Sequence, residues 1–202
     1  MKKCVFLTWT KWEGAIVTEK EYERKAIIGR EKYDMLLAEF TGKYPREDIF
    51  QINHYYDTPD FALYQSGETL RVRQTESTLK LQYKYNKNYF GDMRVSDEYS
   101  ETIGELPKTI KINGLKAQNT GVMATERRNF DLGDCTVSLD KNYYLGAIDY
   151  EIEVETEKEH DLPDVLDEIG FDAKTNGKYS RYVEKLSKQK CEAVVSPKGD
   201  DK

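Results

Sequence analysis

The sequence predicts an α+β fold in which helices cover the apolar face of an antiparallel sheet. Several segments alternate apolar and charged residues with the period of two that belongs to β-strands. Other segments carry apolar residues at helical spacing, and short turn signals separate the strands. A length of 202 residues fits one domain, or one domain with a small appendage.

The predicted elements follow a strand-rich order. Residues 1–17 are an N-terminal arm or an extra strand, and a helix over 30–40 follows the first regular strand. Residues 108–115 fit either a short helix or an irregular segment. Two helices close the domain at 163–169 and 179–187, and the pattern ends in a flexible tail over 189–202. The predicted strands are 19–28, 49–56, 70–74, 79–85, 97–103, 122–132, 135–140 and 149–156.

Composition excludes several classes of function. The formal net charge of -6 argues against nucleic acid as a partner, because such affinity depends on neutralising phosphates. Three widely spaced cysteines predict neither a disulfide framework nor a zinc ribbon, and two histidines cannot build a His-rich metal site. No apolar run approaches the length of a membrane span, so we expect a cytoplasmic protein without a membrane partner.

The charged residues of the predicted strands fall on one face. In Glu21–Lys25, two glutamates and a lysine alternate with other residues, so they share one side of the strand. The same parity recurs in four later strands, where apolar residues take the opposite face. The charged residues placed together in this way are Glu21, Glu23, Lys25, Arg71, Arg73, Lys80, Lys84, Asp140, Glu151, Glu153 and Glu155.

A solvated sheet face explains each of these strands when it is taken alone. Across five strands, however, the charges segregate, since two strands carry only bases and another carries only acids. If the sheet curls into a barrel, acids line one side of the lumen and bases the other. Carboxylates bind hard divalent cations, whereas arginine and lysine bind phosphate oxygens. The pattern therefore favours a polyphosphate ligand with bound metal.

An ordered set of motifs resembles the CYTH superfamily, also called triphosphate tunnel metalloenzymes. The set begins with the Glu-x-Glu-x-Lys strand and covers about residues 18–188, closest to uncharacterised bacterial CYTH proteins. Its motifs are Glu21–Lys25, Asn53–Pro59, Leu70–Arg73, Leu81–Lys84 and Leu139–Glu155. The resemblance implies an eight-stranded antiparallel β-tunnel, a closed barrel with helices packed outside. It also implies a small-molecule triphosphate as substrate and Mg²⁺ or Mn²⁺ as cofactor.

The resemblance assigns roles residue by residue. Glu23, Lys25 and Lys84 are the expected catalytic residues. The expected metal ligands are Glu21, Glu23, Glu151 and Glu153, with Asp140 as a ligand or an outer residue. The expected phosphate-binding residues are Lys25, Arg71, Arg73, Lys80, Lys84, Arg127, Lys178 and Arg181. Lys80 is a less regular family position, and a solvated helix start equally explains Lys178 and Arg181.

Several residues keep two interpretations. Either Arg127 or Arg128 enters the tunnel, and we favour Arg127. Tyr56 lies near the phosphate site or packs in the core, with packing favoured. His54 is expected to be structural, and Cys135 to be a small buried apolar residue.

Three functions remain compatible with these residues. The preferred one is metal-dependent hydrolysis of a triphosphate, either inorganic tripolyphosphate or a nucleoside or organic triphosphate. The alternatives are a class IV adenylate cyclase that makes cyclic AMP from ATP, and a non-catalytic polyphosphate- or nucleotide-binding module. The sequence is compatible with a monomer or a homodimer.

Overall fold

The computed structural model describes residues 5–7, 18–156, 166 and 169–195. Within this part of the chain, one sheet contains ten strands, and three α-helices accompany it. The strands are β1 (Val5–Leu7), β2 (Thr18–Ile28), β3 (Arg46–Asp57), β4 (Thr69–Gln74), β5 (Leu79–Phe90), β6 (Met93–Ile103), β7 (Thr109–Ile112), β8 (Leu115–Asp131), β9 (Cys135–Tyr144) and β10 (Ala147–Thr156). The helices are α1 (Arg30–Thr41), α2 (Ala62–Gln65) and α3 (Lys178–Val195).

Eight of the strands close into an antiparallel ring in the order β8-β3-β4-β5-β6-β2-β10-β9. Closure occurs at β8, because Ala124 to Phe130 pair with β3 on one side and with β9 on the other. The predicted tunnel of eight antiparallel strands is thereby confirmed. Strands β7 and β1 extend the sheet beyond β8 and lie outside the ring, with β1 parallel to β7.

Helix α1 packs on the outer face of the ring. Its buried residues Tyr33, Leu36 and Phe40 lie on one side of the helix, as their spacing predicts. Phe40 meets Phe130 of β8 edge-on, with ring centroids 5.4 Å apart. The same core takes the outward apolar residues of β9 and β10, which include Leu139. The alternation of these strands therefore sends apolar side chains outward and polar side chains into the lumen.

Helix α3 lies differently, because its first turns close one end of the tunnel. Tyr179 stacks on Tyr55 of β3, with ring centroids 4.6 Å apart, and Tyr182 donates a hydrogen bond to the Thr120 carbonyl at 3.1 Å. A Cβ at Gly121 would overlap the Tyr182 ring, so this close approach requires glycine. The first residue of α3, Lys178, is thus held against the lumen.

Two elements differ from the sequence-based expectations. Residues Thr109–Ile112 form strand β7 where a short helix or an irregular segment was expected, and the Asn113-Gly114 turn follows with positive φ. Helix α3 continues to Val195, past the expected start of the tail at residue 189, because good helix formers continue until Pro197. The predicted helix at 163–169 lies largely outside the described residues. Among the described helices, none is long and apolar enough to cross a membrane.

Candidate active site

The lumen collects the polar faces of the strands. Three carboxylates, those of Asp140, Glu151 and Glu153, form a buried group whose oxygens lie within 4.8 Å of one another. We call these three residues the acidic cluster. Asp140 on β9 stands directly opposite Glu151 on β10 in the strand register, and Glu153 follows Glu151 on the same face. Regular alternation on two adjacent strands is therefore enough to assemble the cluster.

Cations from three other elements neutralise the acidic cluster. The Lys178 ammonium lies 2.8 Å from Asp140 Oδ2, 3.1 Å from Glu151 Oε2 and 2.8 Å from Glu153 Oε1. Lys25 on β2 donates to Glu153 at 2.9 Å, and Arg127 on β8 pairs with Asp140 and Glu153. Burial opposes the charged form of Glu153, but Lys178, Lys25 and Arg127 hold its pKa well below the usual range.

Two further carboxylates stand on β2, and their environments differ. Burial opposes the charged form of Glu21, but the Lys84 ammonium and then Arg71 lower its pKa to about 2. Burial raises the pKa of Glu23 to about 7, with repulsion from Glu153 and Glu21 adding to the effect of burial and Lys25 opposing it. The five expected metal ligands are thus divided between the acidic cluster and this pair on β2.

The acidic cluster has the donor chemistry of a divalent cation site. Three buried carboxylates are oxygen ligands of the kind that hard cations prefer, and they could hold a divalent metal. Lys178 contacts all three carboxylates. Metal binding there would therefore compete with its ammonium for the same oxygens.

Four other cations face the lumen without a carboxylate partner. They are Arg71, Arg73, Lys87 and Arg94, which we call the cation set; among the described residues, none of them forms a salt bridge within 4.0 Å. Arg71 donates to Gln82 at 3.0 Å, and Lys87 donates to Thr69 at 3.3 Å. Arg94 donates to the carbonyls of Ala173 and Thr175. These contacts leave the positive charges uncompensated.

The pKa values of Arg73 and Lys87 reflect the lack of carboxylate partners in the cation set. Burial, reinforced by repulsion from Arg71 and Arg127, lowers the pKa of Arg73 to about 10. Burial and repulsion from Arg94 and Lys84 lower the pKa of Lys87 to about 8. A bound anion would remove this penalty, because an opposite charge favours the protonated form. The cation set therefore has the electrostatics of an anion-binding site.

Two cavities meet inside the ring. The first, of about 150 Å³, is lined by Glu153, Lys25 and Lys178 together with the whole cation set. The second, of about 980 Å³, opens toward the turns at the other side and is lined by Lys80, Gln82 and Glu98 among others. Arg71 and Arg73 line both, so the two cavities are parts of one passage.

The structure places the remaining predicted residues as follows. Arg127 enters the lumen, as we favoured, while Arg128 points outward to Asp48. Lys84 pairs with Glu21 and lies 3.2 Å from Glu98. Lys80 is exposed in the larger cavity.

The basic pair of α3 is not solvated. Lys178 is buried among the carboxylates of the acidic cluster. Arg181 pairs with Asp149 at 2.9 Å and with Glu151 at 2.6 Å. Both side chains therefore compensate lumen acids, which makes the solvated-start interpretation wrong. Whether either also contacts phosphate stays a prediction.

The two tyrosines of the Asn53–Pro59 motif face opposite ways. Tyr56 is 2% exposed, packs in the outer core and donates to the Pro107 carbonyl at 2.8 Å, in line with the packing interpretation. Tyr55 instead lines the smaller cavity. His54 pairs with Gln74 at 2.9 Å, and Cys135 is buried in the core, as expected for both.

Sequence reasoning missed Lys87 and Arg94. Arg94 alternates with the apolar residues Met93 and Val95, a signal that was available. Lys87 follows an irregularity between Tyr85 and Asn88 that shifts the alternation of β5, so uninterrupted parity from Lys84 would have placed it outside. The irregularity contains Asn86 with a positive φ of 51°, a conformation that asparagine tolerates better than most residues, so the local sequence carries only a weak signal of it.

Comparison with known proteins agrees with this arrangement. The family model described as the CYTH domain matches residues 19–184. The Bacillus subtilis protein YjbK, provisionally named a triphosphatase, is 30% identical over 123 residues, which are 55% of this chain and 64% of YjbK. The match thus spans less than two thirds of that relative's length.

Two solved structures share the fold. The Hippeastrum protein HpAC1, provisionally called an adenylyl cyclase and described as having a dominant triphosphatase activity, superposes with a TM-score of 0.62 at 16% identity, over 82% of this chain and 95% of HpAC1. A Bacillus halodurans protein provisionally called an adenylate cyclase gives a TM-score of 0.55 at 21% identity, over 92% of this chain and 96% of its own. At these identities, the likeness establishes the fold alone.

Proposed function

This chain belongs to the CYTH domain family, and from that membership we propose that it is a divalent-metal-dependent triphosphatase. The substrate is inorganic tripolyphosphate or a nucleoside or organic triphosphate, bound inside the tunnel. One observation carries the proposal: a single cavity is lined by Glu153 of the acidic cluster and by four cations that have no carboxylate partner. A metal–triphosphate complex has the charges that complement both halves.

In this proposal, the basic residues of the tunnel have different roles. Arg71, Arg73 and Lys84 bind phosphate oxygens and fix the direction of the chain, which supplies the positioning that phosphoryl transfer needs. Lys25 or Lys84 stabilises the oxygens of the leaving group. Lys80 and Arg127 lie on the same lumen surface and complete the phosphate contacts.

The metal proposed for the site is Mg²⁺ or Mn²⁺. The residues that would hold it are Glu21, Glu23, Asp140, Glu151 and Glu153. When bound, it supplies charge neutralisation at the phosphate oxygens. The acidic cluster fits that role because its ligand oxygens lie within 4.8 Å of one another and neighbouring cations lower the pKa of Asp140 and Glu153.

Hydrolysis is supported by the relative YjbK, which is named a triphosphatase, and by the structural neighbour HpAC1, which is described as having a dominant triphosphatase activity. The larger cavity is also polar, with Lys80, Gln82 and Glu98 among its lining residues, and among the described residues no aromatic side chain lines it. This larger cavity suits a phosphate chain better than a purine ring, which binds through aromatic and apolar contacts; the tyrosines of the passage line the smaller cavity.

The test measures orthophosphate released from tripolyphosphate in the presence of Mg²⁺ or Mn²⁺, and products formed from ATP. We expect orthophosphate from both substrates and no cyclic AMP. Glu23→Gln and Lys84→Ala should lose most of the activity, because each removes a charge that the proposal places at the reacting phosphates. Glu39→Gln and Lys43→Ala provide matched controls, since this exposed pair on the outer surface has the same chemistry.

Full activity in both tunnel variants would contradict the assignment of the site. Conversion of ATP to cyclic AMP would instead identify a cyclase. Tight binding of tripolyphosphate without turnover under any divalent metal would indicate a binding module.

A further inference from the structure

Between Glu47 and Asp57, the lumen face of strand β3 carries no charge, unlike the other walls of the tunnel. Gln51, Asn53 and Tyr55 alternate along it. Asn53 is 0% exposed and Gln51 is 2% exposed. Gln51 and Tyr55 line the smaller cavity.

The amides of this wall are unpartnered. Among the described residues, neither Nδ2 nor Oδ1 of Asn53 has a hydrogen-bond partner, and the same holds for Nε2 of Gln51. Unpaired buried polar atoms are costly to a fold, so a group that keeps them needs an explanation. Asn142, on β9, shows the contrast: it is equally buried, but it accepts from Thr125 at 2.8 Å and donates to Asp149 at 2.9 Å.

The unpartnered amides lie beside the proposed phosphate site. Asn53 stands directly opposite Arg73 in the register of β3 and β4. The Nε of Arg73 also lacks a partner within the described chain. Arg73 and Gln51 line the same cavity. A phosphate held by Arg73 would therefore lie next to the amide wall.

The chemistry of Asn53 Oδ1 limits what can satisfy it. A carbonyl oxygen only accepts hydrogen bonds, and ionised phosphate oxygens also only accept. The partner of Oδ1 must therefore bring an O–H or an N–H group, and among the described residues no such group reaches it. In a triphosphatase, the O–H group that must lie next to the terminal phosphate is the attacking water. Gln51 Nε2 and Asn53 Nδ2 are donors, and they suit phosphate oxygens or the oxygen of that water.

We propose that Asn53, assisted by Gln51, holds the water that attacks the terminal phosphorus, an inference that rests on the proposed hydrolysis. The water donates one O–H to Asn53 Oδ1. This hydrogen bond orients the water so that a lone pair of its oxygen points toward phosphorus. The oxygen–phosphorus bond forms as the bridging P–O bond breaks, and the electron pair of that bond goes to the diphosphate. Tripolyphosphate and water then give diphosphate and an orthophosphate that keeps both hydrogens.

Asn53→Leu tests this role, because leucine has nearly the same shape but cannot orient water. We expect kcat for tripolyphosphate to fall by about 100-fold, comparable with the loss of one positioned hydrogen-bonding group in other active sites. Metal-free calorimetry should give a tripolyphosphate Kd within about 3-fold of wild type, because water positioning is not binding. The unfolding midpoint should stay unchanged or rise, since an unpaired amide is replaced by an apolar group.

Asn142→Leu is the matched control for stability. It should lower the unfolding midpoint, because Thr125 and Asp149 lose their partner. Asn53→Ala is the second variant, which requires no extra space, and it should show the same loss of kcat at unchanged Kd.

Each other result overturns the inference. A wild-type kcat in Asn53→Leu would make the amide purely structural. Losses of kcat and tripolyphosphate affinity in parallel would make it a phosphate ligand. If the wild type turns over and only these results fail, the proposed function stands; a wild type that binds tripolyphosphate but releases no orthophosphate overturns both.

Discussion

The acidic cluster and the cation set meet at one cavity, which Glu153 and all four cations line, but they differ in how the protein compensates their charges. Lys25, Arg127 and Lys178 surround the acidic cluster, so its carboxylates are neutralised within the fold. The cation set has no such partners among the described residues, and burial with mutual repulsion lowers the pKa of Arg73 and Lys87. The difference indicates that the folded chain satisfies its acids and leaves its bases for a ligand.

The largest loss of stability and activity should come from substituting Glu153, the carboxylate that contacts the most cations. Glu153 contacts Lys25, Arg127 and Lys178, so Glu153→Gln leaves three buried cations short of a partner. We expect the free energy of unfolding to fall by about 3–5 kcal/mol, as when other buried pairs are broken. Orthophosphate release should be abolished. Urea unfolding and a phosphate assay measure the two losses.

Glu155→Gln is the control for that substitution. This side chain is 39% exposed and lies 3.7 Å from Arg127, so we expect a change below about 1 kcal/mol. A Glu153→Gln protein as stable as the wild type would show that these cations do not depend on the acidic cluster.

Two arginines of the tunnel should separate stability from binding. Arg73→Met removes an unpaired charge, so we expect stability to stay level or rise while KM for tripolyphosphate increases by roughly 10-fold. Arg127→Met should instead lower stability, because Asp140 and Glu153 lose a buried partner. Parallel denaturant curves and kinetics test the pair. Equal destabilisation by both would remove the distinction between the acidic cluster and the cation set.

The smallest expected effect is a pH dependence at Lys87. Its pKa is about 8 in the folded protein, below the 10.5 of the free side chain. The unfolded chain therefore binds more protons between pH 8 and 10.5, and the contribution of Lys87 to stability improves as pH rises through this range. Lys87→Met should be more stable than wild type at pH 7, with the difference shrinking toward pH 10.5. Urea unfolding at pH 7, 8, 9 and 10 measures it.

A stability difference that stays constant with pH would mean that folding does not lower the pKa of Lys87. Adding tripolyphosphate provides the complementary experiment. Its binding should raise the pKa of Lys87, so the wild type should take up protons on binding near pH 8 to 9.

Much of this arrangement follows from alternation along single strands. The inward face of β10 and the inward arginines of β4 could be predicted because each strand is regular and has an apolar opposite face. Strand β7 could not be distinguished over four residues, since other residues of the core it joins, such as Val72 and Leu81, belong to distant segments. The lumen position of Lys87 could not be predicted, because it depends on a register shift in the pairing of β5 with β6.

The sequence also does not predict which side chains of the site contact one another. The resemblance predicts that Lys178 binds phosphate, and a solvated helix start was the alternative. Its position among three carboxylates follows instead from how Tyr179 and Tyr182 pack α3 on β3 and β8. The absence of partners around Asn53 is a similar property. It emerges only when the side chains of neighbouring strands are placed, because no residue type encodes it locally.

The closure of the ring has a consequence for how the molecule folds. The β4–β5 hairpin, which carries Arg71 and Arg73, joins neighbouring segments and can form early. The contact between Lys25 and Glu153 spans 128 residues, so β2 must wait for nearly the whole chain before β10 exists to pair with it. At about 5–20 residues per second, a ribosome delays that pairing by several seconds or more. During synthesis, the anion-binding half can thus be assembled before the acidic half, and the two meet only in the completed domain.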